Sequence, residues 1–384
     1  MSATNELSED ALKGLAAMNT DEETVLSVYV DLDPSRYATA PARASQIGSL
    51  LDGAHREIES GERSHAARQA LRTSLQRARE LLAPDGDWAR DARAYALFLS
   101  EPLGLERGLR LPHPLASAAI ITDAPFIAPL AEHGVAGRVC VALVDERFAR
   151  VLRGSSERLR EVVSFGDDVH GRHDQGGWSQ ARYQRSRHEE IEAHLRHVAR
   201  QLHELLAVAP YRRLLIACAQ PLWPRVVERL SADVRPLLHD ERVQLDVGDA
   251  GIEDVLAAVR PLLEADERAH EDAVLAELRE RYAREDDARA AAGLEAVLAA
   301  LVERRVETLL YDAGSSSPGV ACPRCGWLGV AVDSCPVDGG PLEQRDDIVE
   351  DAVRAAVEQS AEILALRDRP ELGPLGGIAA TLRF

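Results

Sequence analysis

Two sets of residues in this chain have the types and spacings that could do chemistry. The first is Cys322, Cys325, Cys335 and Asp338, arranged as Cys-x2-Cys, nine residues, then Cys-x2-Asp. Cysteine pairs at this separation are what a tight turn presents to a tetrahedral zinc ion, and a carboxylate can supply the fourth ligand. A set of three thiolates and one carboxylate leaves no evident open coordination position, so the role of such a site is structural. A ribbon that keeps its turns without metal is the other reading of the same spacing. The second set lies between Gly176 and Arg187, GGWSQARYQRSR, where paired glycines run directly into an arginine-rich segment. Glycine reaches positive φ at no steric cost and lets a backbone approach a ligand closely. Arginines following such a turn are suited to phosphate, although a glycine turn capping an ordinary solvated helix has the same outline.

Charge separates these readings. The 384-residue chain carries a formal net charge of −19 with an isoelectric point near 5.1, which excludes a protein that coats nucleic acid through a generally basic surface. Between Gly171 and Arg200, however, six arginines face four carboxylates, so this window is +2 while the rest of the chain is strongly acidic. Basic character is concentrated on the loop and its helix, as a local RNA contact requires. Lys13 is the single lysine; codon bias explains that more simply than a demand for guanidinium chemistry. No segment combines a basic start with an apolar run, and no stretch approaches the ~18 apolar residues that cross a bilayer, so a cytoplasmic protein is expected.

The other reactive side chains have ordinary explanations. Cys140 and Cys218 lie in apolar strand-like runs, where a buried free thiol acts as a small hydrophobe. His170, His173, His188, His194 and His197 cluster in sequence without forming a metal-binding pattern and are expected to be exposed or to face RNA. Ser155 and Ser156 lack the elbow of a hydrolase nucleophile.

The elements that would position these residues alternate between strand and helix, which implies an α/β fold with helices flanking sheets. Length predicts two or three domains. Residues 1–133 contain a strand at Leu26–Asp33, a long helical stretch from Ala42 to Leu82 and a strand at Tyr95–Ser100. Residues 136–264 open with a hairpin, Arg138–Gly154, turning at Asp145 and Glu146, followed by the glycine loop and a helix from about Ser186 to Leu206. The strand RLLIACA, a helix after Pro221, the strand VQLDV and a further helix complete this segment. Residues 266–384 begin with a charged helix, Asp266–Arg289, continue through GLEAVLAALVERRVETLLY and the cysteine-bearing insert 318–344, and end with a helix at Asp347–Gln359 and the strands AEILAL and IAATLRF.

In this order the chain resembles the archaeal and eukaryotic class 1 release factors and Pelota. Their middle domain carries HGRGGQSxxRFxRxR before a long helix. Aligned without a gap, Gly176, Gly177, Ser179, Arg182, Tyr183, Arg185 and Arg187 fall in register, while Trp178 stands at the position of the glutamine. A hairpin precedes the motif as in those families, and Gly376–Phe384, GGIAATLRF, resembles their closing strand, GGIGGILRY. Three matches in the correct order are more specific than any one of them. The resemblance implies a three-domain α/β architecture: a degenerate N-terminal domain, a middle domain with the GGWSQ loop, and an L7Ae-like C-terminal domain carrying the zinc-ribbon-like insertion.

It also implies the ribosome as partner, with rRNA, the A site and the tRNA 3′ end as contacts. Arg172, Trp178, Ser179, Arg182, Tyr183, Arg185 and Arg187 are then the RNA-binding candidates. A translational GTPase such as elongation factor Tu is an open candidate for delivery, DNA and membrane are not expected partners, and a monomer is expected. Release factors use the glutamine to place a water for attack on the peptidyl-tRNA ester. Trp178 cannot do this, but Gly177-Trp178-Ser179-Gln180 also spells the G-x-x-Q of Vms1-type peptidyl-tRNA hydrolases, which would make Gln180 the catalytic side chain and Gly176 and Gly177 the turn that presents it. Neither the NIKS string nor the Tyr-x-Cys element used to read stop codons occurs in the sequence. Two expectations follow: an A-site occupant of the Balon hibernation type that does not hydrolyse, or a codon-independent hydrolase acting through Gln180. The first is preferred, because the substitution removes the residue that hydrolysis most requires.

Overall fold

The computed structural model describes residues 7–384 except 85, 91, 133–137, 157, 167–179, 209–210, 285–288 and 368, and describes residues 132, 138 and 180–184 by backbone alone. The chain divides into two compact units, residues 1–135 together with 270–384, and residues 136–269.

The first unit opens with α1 (Glu9–Ala16) and β1 (Val25–Asp31), followed by α2 (Ala40–Ser60), α3 (His65–Leu81), β2 (Ala94–Ser100), β3 (Leu105–Leu111), β4 (Ala118–Thr122) and the short α4 (Ala128–Glu132). The helical stretch expected over 42–82 is two helices. Gly61 ends α2 in extended backbone, and the Ser64 hydroxyl starts α3 by accepting from the Ala67 N–H at 3.1 Å, an N-cap that restarts the helix in a new direction. The strands form an antiparallel sheet in the order β3-β2-β1-β4. Both faces of β1 are covered: Leu26, Val28 and Val30 meet α2 and α3, while Val25 and Tyr29 face a second core. Burial on two sides accounts for its nearly unbroken apolar sequence.

That second core joins the two ends of the chain. It gathers Leu12, Val25, Tyr29, Phe98 and Ile127 with Val297, Leu309, Ile348 and Val353. The C-terminal residues form β9 (Ala290–Ala292), α8 (Leu294–Val302), β10 (Val306–Asp312), the small strands β11 (Gly319–Ala321), β12 (Leu328–Gly329) and β13 (Glu343–Arg345), then α9 (Ile348–Glu358), β14 (Glu362–Leu366) and β15 (Ile378–Leu382). Their main sheet has the order β14-β10-β15-β9, with β10 parallel to β14 and β15 antiparallel to both its neighbours. The cysteine insert between β10 and α9 makes its own sheet, β12-β11-β13. Gly376 and Gly377 take φ values of +76° and +77° as the chain turns into β15, a conformation that a side chain would strain.

The second unit contains β5 (Arg138–Val144), β6 (Phe148–Gly154), β7 (Leu159–Gly166), α5 (Gln180–Ala207), β8 (Tyr211–Cys218), α6 (Trp223–Arg229) and the start of α7 (Ile252–Tyr282). The expected hairpin is β5–β6, closed where the Asp145 N–H donates to the Phe148 carbonyl at 2.8 Å. The sheet order is β7-β6-β5-β8, with β5 and β8 parallel. Alternate residues of β5 serve two layers: Cys140, Ala142 and Val144 pack toward α5 and α6, whereas Val139, Val141 and Leu143 pack toward Val255, Leu256 and Val259 of α7.

Two expected elements differ. VQLDV forms no strand: Val243 makes one parallel bridge to Ala217, and an Asx turn at Asp246, whose carboxylate accepts from the Gly248 N–H at 3.2 Å, ends the pairing. The helices expected on either side of residue 262 are one helix, which runs through Pro261 and stops at Tyr282, short of Arg289. Among the described residues no helix is long and apolar enough to cross a membrane.

Candidate functional site

The glycine loop joins β7, an edge strand, to α5. Arg172, Gly176, Gly177, Trp178 and Ser179 lie outside the described residues, as do His170 and His173. Gln180, Arg182 and Tyr183 fall in the first turn of α5, where only the backbone is described. From residue 185 onward the side chains of the helix are described. Ile191, Leu195, Val198, Leu202 and Leu206 form one stripe at helical spacing and bury it in the core over β5, β6 and β8. His194 lies in the same buried layer and is fully enclosed, contrary to the expectation of an exposed or RNA-facing histidine. Its place three residues after Ile191 and one before Leu195 puts it at the margin of the stripe. His197 stacks against Phe165 of β7, with ring centroids 4.4 Å apart.

The arginines of the basic window do not all point to solvent. Arg185 is exposed, but Arg187 is mostly covered and forms an ion pair with Glu146 at the β5–β6 turn. Glu192, on another face of α5, accepts from Arg225 of α6 at 2.7 Å and 3.1 Å and also pairs with Arg229 and, at 3.8 Å, His188. His188 is four residues from Glu192, but local sequence gives no sign of the other partners, which lie 33 to 41 residues away.

The cysteine insert is built differently. Cys322, Cys325, Cys335 and Asp338 each offer a ligand atom, and these atoms all lie within 4.8 Å of one another. Cys325 and Cys335 sulfurs are 3.4 Å apart, and the Asp338 oxygens are 3.6 Å and 3.7 Å from the Cys322 sulfur. A tetrahedral ion with zinc-like bond lengths sets ligand edges of ~3.6–3.8 Å, so the donors fit one such ion. Two copies of the same turn create this arrangement. The Cys322 N–H donates to the Trp327 carbonyl at 2.8 Å and the Gly326 N–H to the Cys322 carbonyl at 3.0 Å; the Cys335 N–H donates to the Gly340 carbonyl and the Gly339 N–H to the Cys335 carbonyl, both at 2.9 Å. Gly326 and Gly339 take φ of +73° and +68° at equivalent places. Asp338 therefore occupies in the second turn the position that Cys325 occupies in the first.

Electrostatics favour ligand forms at two of the four positions. The Gly340 N–H, donating at 2.9 Å, outweighs burial and, with Cys335 and Arg324, holds the Asp338 carboxyl down to about 2. Burial works to raise the Cys322 thiol, but N–H groups of Cys325 and Arg324 bring it below its ordinary value. Cys325 is pushed up to about 11, by burial first and then by its thiol neighbours; an ion would have to displace that proton. By contrast, Cys140 and Cys218 are raised to about 12 and about 11, mainly by burial, as inert core thiols are.

One functional group escaped the sequence reading. Asp347-Ile-Val-Glu350 reads as a helix-capping box, in which the glutamate would turn back to its own N-cap. Asp347 does cap, accepting from the Val349 N–H at 3.0 Å. Glu350 instead accepts from the Ile127 N–H at 2.7 Å and the Ala128 N–H at 3.0 Å, tying the N-terminal to the C-terminal residues of the first unit. Burial raises its carboxyl to about 7 despite Arg354 and the two N–H donors. Arg345 adds a second tie, to Asp123 at 2.6 Å.

Residues 125–264 match the family model of bacterial archaeo-eukaryotic release factor family 10. No curated protein matches the chain. Solved structures similar to it include archaeal Pelota in a model of its ribosome-bound complex with ABCE1 (18% identity, 76% of this chain and 77% of that one, TM-score 0.42). Another is Saccharomyces cerevisiae Dom34, described as a translation termination-like factor (13% identity, 76% and 79% covered, TM-score 0.40). A third is the archaeal translation termination factor aRF1 (18% identity, 99% of both chains, TM-score 0.28). The hairpin and the long helix fall inside the bounds of the family match, so the middle part of the chain, residues 125–264, is similar to bacterial archaeo-eukaryotic release factor family 10.

Proposed function

We propose that this protein is a ribosome-binding factor that occupies the A site during translation stress, in hibernation or rescue, without reading stop codons and without hydrolysing peptidyl-tRNA. The observation that carries this reading is Trp178, which stands where the release-factor motif has its glutamine inside a family-matched domain. Hydrolysis of the ester needs a water held beside the carbonyl and polar donors for the charge that develops; an indole offers one N–H donor and cannot accept a hydrogen bond from that water. The loop then serves to fill or brace the peptidyl-transferase side of the A site, with Arg172, Arg182 and Arg185 beside RNA phosphates. From the resemblance of the loop and helix to the release-factor and Pelota motif, the proposed partner is the ribosome, the proposed compartment the cytoplasm, and a translational GTPase such as elongation factor Tu the delivery factor to test first. The cysteine insert is proposed to hold one structural zinc, through Cys322, Cys325, Cys335 and Asp338. When bound, zinc would supply folding free energy to the insert and no chemistry.

One feature favours a second reading. Gln180 begins α5, three residues after Gly177, and the first N–H groups of a helix have no partner within it. In a hydrolase Gln180 would orient the water and an N–H would stabilise the oxyanion. Purified protein added to bacterial ribosomes loaded with peptidyl-tRNA tests both: binding without peptide release supports the occupancy factor, and release lost in Gln180→Ala establishes the hydrolase.

A further inference from the structure

We infer that Arg187 is a positioning residue, which sets the first turns of α5 and hence the loop they carry, and that Glu146 is its dedicated counter-charge. This inference rests on the ribosome-binding reading for its consequence but not for its geometry. The apolar stripe that fixes α5, Ile191, Leu195, Val198, Leu202 and Leu206, extrapolates one turn toward the loop to residue 187. There the core ends and a charge takes over. Arg187 meets the Glu146 carboxylate at the β5–β6 turn, and its Nε is buried. Glu192 and its arginines lie more than one helical turn further along α5. A guanidinium so engaged would have to surrender Glu146 before it could meet a phosphate. The hairpin itself is held in place: Arg150 of β6 donates to Glu161 of β7 at 2.7 Å and to the Ala250 carbonyl at 2.7 Å. Glu146 thus sits on a braced turn and can act as a fixed post for the helix.

Three variants decide the matter: Glu146→Gln, Arg187→Gln, and the exchange Glu146→Arg with Arg187→Glu. Amide hydrogen exchange of residues 180–190 is measured on the free protein, and ribosome binding is followed across a salt series. A partly covered ion pair of ~1 kcal/mol corresponds to a change of roughly 5-fold. Both single variants are expected to speed exchange by about that factor and to weaken ribosome binding comparably without changing its salt slope, and the exchanged pair should recover both. If Arg187 is instead a phosphate ligand, Arg187→Gln reduces the salt slope by ~1, Glu146→Gln tightens binding, and the exchanged pair binds worst; that pattern overturns the inference. So does unchanged exchange in both single variants. Failure of the wild type to bind ribosomes would overturn the functional reading alone, because the exchange measurement needs no ribosome.

Discussion

The cysteine insert and the loop-bearing helix are both candidate sites, yet they are assembled by opposite means. In the insert every ligand comes from a span of 17 residues, and the ligands are placed by two copies of one hydrogen-bonded turn. In the middle unit the helix is local, but what aims it comes from far along the chain: Glu146 from the preceding hairpin, and Arg225 and Arg229 from α6. A site whose geometry is set by backbone turns should fail all at once when a ligand is lost. A site aimed by ion pairs and a core stripe should lose function in graded steps while its fold persists.

The sharpest way to break this contrast is to remove a ligand. Cys325→Ser should lose the proposed zinc, measured as a fall from about one equivalent to none by metal analysis of protein purified under reducing, chelator-free conditions. Structural zinc sites contribute on the order of 10 kcal/mol of apparent binding free energy, so the insert should lose its protection from hydrogen exchange while residues 136–269 keep theirs. A wild-type protein without metal would mean that the twin turns stand on their hydrogen bonds alone.

A smaller but functional loss should follow from changing Arg182, Arg185 and Arg187 together to Glu. Salt-sensitive cosedimentation with ribosomes is expected to disappear: loss of the Arg182 and Arg185 phosphate contacts reduces the dependence of log K on log salt by ~0.9 each, and Arg187→Glu breaks the tie to Glu146 that positions the helix. Circular dichroism should stay close to wild type, because the core stripe of α5 is untouched. Binding that survives the triple change would place the docking surface elsewhere.

Legibility in the sequence followed the same division. The Cys-x2-Cys and Cys-x2-Asp spacing of the insert made the clustering of these four residues readable, because both turns are local. The α/β alternation, the hairpin and the closing strand were readable for the same reason, as was the burial of Cys140 and Cys218 in apolar runs. What escaped depended on distant partners. VQLDV has a strand-like pattern but meets a neighbour at only one residue, Val243. The α7 helix passes through Pro261 with apolar residues on both sides of it, Val259 and Leu263, packed in one core. His194 read as exposed or RNA-facing because it lies in the histidine- and arginine-bearing window with His170, His173, His188 and His197, and only the packing over β5 shows it buried.

Glu350 offers a test of intermediate size on the first unit. Its folded carboxyl is raised to about 7 from an ordinary 4.5, chiefly by burial. A raised acid stabilises the fold while both states hold the proton, and that contribution is lost as pH rises from ~4.5 through about 7. Asp351, mostly covered and also raised by burial, adds in the same direction. Between pH 5 and pH 8 the wild type should therefore lose ~2–3 kcal/mol relative to Glu350→Gln in chemical denaturation. Parallel curves for the two proteins would mean that the carboxylate is accommodated by its two N–H donors and Arg354 at all these pH values.

The smallest expected effect lies at Gln180, and it decides between the two functions. An uncharged side chain at the start of α5 contributes little to docking on a polyanion, because the free energy of that docking comes from counterions displaced by arginine. Gln180→Ala should therefore bind ribosomes within about twofold of wild type, at the same salt slope. If the loop braces the A site through Trp178, neither protein releases peptide from ribosome-bound peptidyl-tRNA, and the change is silent in both assays. A release activity present in the wild type and absent in Gln180→Ala, with binding intact, would make the glutamine three residues beyond Gly177 the group that places water, and the occupancy reading would then give way to the hydrolase.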